Sequence, residues 1–96
     1  MSNPKILFLN NLEVAVDTAR KLKNKLSVQN RTDNALSVAT TLHLDLNKAL
    51  EEYREYGSSK GRTMANCALS EAIYGVPLAR EIYDTVQEIK KILGFI

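Results

Sequence analysis

The sequence predicts an all-α protein: an antiparallel up-down four-helix bundle formed as one domain over residues 1–96. Three observations lead there. Ala79, Ile82, Val86, Ile89, Leu93 and Ile96 recur at alternating steps of three and four, the seam of a helix packed on other helices. The earlier segments repeat that period. Glycine, proline and short polar stretches then cut the chain into four pieces joined by brief connections, which favour antiparallel neighbours.

The first helix is expected to start at Asn10, with Glu13 three residues on as a capping box and Leu9 and Val14 as a hydrophobic staple. Its stripe is Leu12, Ala15 or Val16, Ala19, Leu22 and Leu26. Residues 4–9 (PKILFL) read as an irregular lid on the core, with a short β segment or a preceding helical turn as alternatives. Residues 27–33 (SVQNRTD) form a polar turn.

The second helix begins with Thr32 or Asp33 as N-cap and runs to Tyr56, where Gly57 stops it. At ~36 Å, from 1.5 Å per residue, it is the spine of the domain. Its broad stripe of Ala35, Leu36, Ala39, Leu42, Leu46, Ala49, Leu50, Tyr53 and Tyr56 suits contact with two neighbours.

After SSKG the third helix is expected from Arg62 to Tyr74, closed by Gly75. Gly61, Ala65, Ala68, Ala72 and Gly75 form a row of small residues that lets another backbone come close. The fourth helix opens at Pro77, which suits a first helical position, and ends at Gly94 with Phe95 and Ile96 as an apolar tail.

Composition narrows the function classes. Hydrophobic residues make up 45% and charged residues 25%, ordinary globular values. A net charge of +2, with both signs interspersed, argues against a nucleic-acid binder. The single Cys67 fits a reducing cytoplasm, and no segment approaches a signal peptide or a membrane span.

No catalytic constellation stands out, so the expected protein is no enzyme and needs no metal or cofactor. His43 is the one histidine and reads as a core-boundary residue on the second helix; a zinc site needs three or four ligands. Cys67 reads as a small buried residue. Glu81, Asp84 and Glu88 share the face opposite the apolar seam and read as solvated. Arg20, Lys21, Lys23 and Lys25 form the densest basic patch, partly offset by Asp17 one turn before Lys21. A helical enzyme or nucleotide binder would need Arg54, Lys60 and Arg62 to line one pocket.

Three apolar residues fall outside the expected core: Leu44, Phe95 and Ile96. Gathered at one end with Tyr74, Val76 and Leu78, and flanked by Lys90 and Lys91, they would form a surface for a protein partner.

Residues 36–91 resemble the small immunity proteins of pediocin-like (class IIa, enterocin A type) bacteriocins. A long helix ending in LNKALEEYREYG leads through a polar loop to RTMANCALSEAIYG and then to VPLAREIYDTVQEI. In the last piece Pro77, Ile82 and Tyr83 match the family's Pro-marked opening of its final helix. The resemblance implies a four-helix bundle acting in the cytoplasm without catalysis. It also implies recognition of the sugar-transport permease that the bacteriocin attacks, with specificity in the C-terminal half. The alternative is an oligomeric helical adaptor, such as a phage or toxin–antitoxin accessory protein, whose subunits meet through the small-residue face of the third helix.

Overall fold

The structure is a computed structural model that describes residues 4–31, 34–57, 59–74 and 79–96. Four helices follow in order: α1 (Pro4–Val28), α2 (Ala35–Tyr56), α3 (Ser59–Ile73) and α4 (Arg80–Leu93). The assembly is elongated, 45 × 22 × 20 Å. Each helix packs on its neighbours in sequence, and α4 closes the ring against α1.

Side-chain pairs fix the directions. Phe8 near the start of α1 stacks on Tyr53 near the end of α2, with ring centroids 4.9 Å apart. Gly61 at the start of α3 lies against Ala49 and Tyr53 at the end of α2. Phe95, just past α4, meets both Phe8 and Arg62 of α3's first turn. Adjacent helices are therefore antiparallel, the expected up-down-up-down arrangement.

The core follows the periodic stripes. Leu12, Ala15, Ala19, Leu22 and Leu26 of α1 and Ile82, Val86, Ile89 and Leu93 of α4 are all buried. They meet Ala39, Leu42, Leu46, Ala49 and Leu50 of α2 and Ala65, Ala68, Leu69 and Ala72 of α3. Tyr53 is half-buried, whereas Tyr56 stands 66% exposed and leaves the α2 stripe.

The helix starts differ from expectation. Residues 4–9 are neither the favoured lid nor a strand; the helical alternative holds, as the opening turns of α1. Phe8 is buried four residues before Leu12, so the apolar stripe extends through it. Proline is tolerated as the first residue because an N–H there has no helical acceptor. Asn10 sits exposed inside the helix, and Glu13 reaches Arg54 across to α2. Likewise α3 starts at Ser59 rather than Arg62, which places Gly61 within the helix. Asn34 rather than Thr32 or Asp33 is the N-cap of α2, and α4 starts at Arg80 after an extended Ala79 rather than at Pro77. Thr32, Asp33, Pro77 and the expected stop at Gly75 themselves lie outside the described residues.

The helix ends at Gly57 and Gly94 agree with expectation, and both glycines adopt the left-handed conformation that L side chains resist. At Gly94 the backbone closes a double turn. The Phe95 N–H donates to the Lys90 carbonyl at 2.8 Å, and the Gly94 N–H donates to the Lys91 carbonyl at 3.2 Å. This arrangement satisfies carbonyls left without partners at the helix end and swings the next apolar side chain back onto the bundle.

Candidate interaction surface

The end of the bundle that joins the start of α1 to the close of α4 holds the densest cluster of specific contacts. Phe8 sits at its centre, 7% exposed. Tyr53 packs against it with the rings tilted 51°, and the Phe95 ring lies 6.2 Å away between centroids. The Arg62 guanidinium carbon stands 4.9 Å from the Phe8 centroid and 5.5 Å from that of Phe95. The negative faces of the rings attract the cation, which covers the aromatic cluster while staying in water. One residue from each of α1, α2 and α3, together with Phe95, thus closes this end.

Around that cap the surface is apolar and cationic. A groove beside Phe8 is lined by Pro4, Leu7, Asn11, Arg62, Lys91 and Ile92. Ile6 (56%), Leu7 (51%) and Ile96 (65%) remain largely exposed. Neither residues 4–12 nor residues 89–96 include a carboxylate side chain. The acidic residues nearest this end are Glu13 of α1, which accepts from Arg54 of α2 at 3.0 Å, and Glu51, Glu52 and Glu55 of α2, of which Glu52 faces Lys60 at 4.0 Å.

The residues expected to form a partner surface separate. Lys91 and Ile96 are exposed at the aromatic end, with Lys90 half-buried beside them. Phe95 is partly buried against the core, a correction to its placement outside the expected core. Tyr74 is 81% exposed but closes α3 at the opposite end, twelve residues and ~18 Å from Arg62 at helical rise. Leu44 is exposed midway along α2. Val76 and Leu78 lie outside the described residues. Sequence reasoning missed Ile6, Leu7 and Phe8 at this end and considered Arg62 only for a pocket with Arg54 and Lys60; the four-residue step from Phe8 to Leu12 was the available signal.

The remaining candidates settle on other faces. His43 is half-buried, and loss of hydration, with Lys23 and Arg20 nearby, holds its pKa below the ordinary imidazole value. Cys67 is exposed, contrary to its reading as buried, because it lies on the outer side of α3 in a shallow furrow with Lys48 and Lys60. Asp17 is hydrogen-bonded to Arg20 and lies 3.3 Å from Lys21, so its carboxyl titrates below its usual range. Glu81 and Asp84 on α4 engage Arg31 at 2.9 Å and Arg80 at 3.8 Å. The hydrogen bond from Arg31 also lowers the Glu81 pKa.

Arg54, Lys60 and Arg62 do not converge. Arg54 bonds Glu13 at 3.0 Å, Lys60 faces Glu52, and Arg62 lies over the aromatic rings. The small face of α3 is consumed inside the chain, since Gly61, Ala65, Ala68 and Ala72 are all buried. Among the described residues no group of three or more His, Cys, Asp or Glu side chains could hold a metal ion. No helix among them is long and apolar enough to cross a membrane.

Comparison with family models, curated proteins and solved structures finds no match to this chain.

Proposed function

We propose that the chain is a cytoplasmic, non-enzymatic interaction protein of the bacteriocin-immunity type. It protects its producer by recognising the bacteriocin-targeted sugar permease from the cytoplasmic side. The observation that supports this reading is the locked C-terminal segment. The Gly94 turn and the Phe95–Phe8–Arg62 contacts fasten the end of α4 to the bundle, so Lys91 and Ile96 are presented from a braced surface. A pre-organised surface loses less conformational freedom on meeting its partner. Burial of Gly61, Ala65, Ala68 and Ala72 within the chain favours this reading over the oligomeric adaptor, which needs that face between subunits.

The test is expression in a bacterium sensitive to pediocin-like peptides, challenged with a panel of them. The reading expects survival against at least one peptide and loss of that survival in a folded Lys91→Glu/Ile96→Ser variant. Unchanged sensitivity to every peptide, with the protein present and folded, would overturn it.

A further inference from the structure

The aromatic-capped end combines two features that together specify a kind of surface. Ile6, Leu7 and Ile96 project from two chain segments, the first turns of α1 and the residue after Phe95, and each is more than half exposed. Cations stand among them: Lys5 precedes Ile6 in sequence, and Lys91 and Arg62 share the groove that Leu7 lines. Tyr56, 66% exposed at the close of α2, adds an amphipathic ring at the same end. We infer that this end docks on an anionic lipid surface, with the three aliphatic side chains entering the headgroup boundary and the cations pairing with lipid phosphates.

Charge complementarity selects lipid as the occupant. Apolar tips separated by cations match a boundary that is hydrocarbon on one side and anionic on the other. Long cationic side chains keep their charge at headgroup level while their stems lie along apolar groups. The carboxylates Glu51, Glu52 and Glu55 lie on α2, and Glu13 of α1 faces α2 through Arg54, which tilts the contact toward the α1–α4 side. The other basic patch is a poorer candidate, because Asp17 engages both Arg20 and Lys21. Lipid docking deepens the proposed function by holding the bundle against the bilayer around a membrane-embedded partner, yet it is measured without that partner.

The experiment is co-sedimentation of the full chain with protein-free vesicles of phosphatidylglycerol and phosphatidylcholine, compared with phosphatidylcholine alone. The expected result is binding to the anionic vesicles that weakens with added salt. Lys5→Gln/Lys91→Gln should reduce it roughly 20-fold or more, at about fivefold per cation. Ile6→Ser/Leu7→Ser/Ile96→Ser should reduce it as well. These positions are exposed, and circular dichroism confirms that each variant stays folded. Lys21→Gln/Lys25→Gln should leave binding unchanged.

No sedimentation with anionic vesicles at low salt overturns the inference. So does binding that survives the variants at this end or collapses in Lys21→Gln/Lys25→Gln. Binding to native membranes but not to protein-free vesicles also overturns it, and assigns the surface to a protein. Protection assays read the proposed function separately, so either conclusion can fail while the other stands.

Discussion

A Cβ atom on Gly61 would lie 2.8 Å from the Cβ of Tyr53 and 3.0 Å from the Ala49 carbonyl oxygen. Real Cβ atoms do not come this close, so α3 can approach α2 at its first turn only with hydrogen in that position. Both obstacles are backbone or lie next to it, and neither can swing aside. Gly61→Ala should therefore destabilise the fold by about 1–3 kcal/mol, the usual range for overpacking, even though alanine is the better helix former. Denaturant unfolding measures this. A variant as stable as the parent would mean that the helices separate here at no cost.

The Arg62 guanidinium faces two rings at once, which makes its contribution separable. In a double-mutant cycle of Arg62→Ala and Phe95→Ala, the coupling should be about 0.5–1 kcal/mol, the range of exposed cation–π pairs. Arg62→Lys should retain part of the attraction but lose the planar stacking. Additive effects would reduce the contact to simple proximity.

Much of the fold was legible because burial obeys a period. The stripes of α1 and α4 are continuous at steps of three and four, and every large member from Leu12 to Leu26 and from Ile82 to Leu93 is buried. Helix ends at Gly57 and Gly94 were legible too, because left-handed backbone strongly selects glycine. Helix starts were less so. Asn10 followed by Glu13 satisfies the capping pattern locally, but burial of Phe8 in register with Leu12 carries the helix back past it. The interaction surface was least legible. Whether Phe95 dangles or docks depends on a backbone turn at Gly94 and on an aromatic partner 87 positions earlier in the chain.

The extension of α1 has its own test. Phe8 is buried among Tyr53, Phe95 and Arg62, so Phe8→Ala should cost ~3 kcal/mol or more, the range for removing a core aromatic. A surface lid over residues 4–9 would lose far less. Amide hydrogen exchange gives a second readout: the N–H groups of Leu9 to Leu12 should be protected together with the middle of α1.

Acid should weaken the bundle in two separate windows, and His43 controls the upper one. Half-burial, then repulsion from Lys23 and Arg20, lowers its folded-state pKa below 6.5. The unfolded chain therefore takes up the proton first as pH falls. Stability that is fully present above about pH 6.5 is lost as pH drops through the lowered folded value. The depressed carboxylates Asp17 and Glu81 act lower down, around and below their ordinary values of 3.8 and 4.5. Their contribution is present above those values and disappears as each is protonated. Thermal unfolding of the parent should thus show Tm falling as pH drops below about 6.5 and again as it drops below about 4.5. His43→Gln should flatten the upper fall and leave the lower one intact, while Asp17→Asn/Glu81→Gln should do the reverse. An upper fall that persists in His43→Gln would mean that the imidazole is hydrated enough to titrate alike in the folded and unfolded chains.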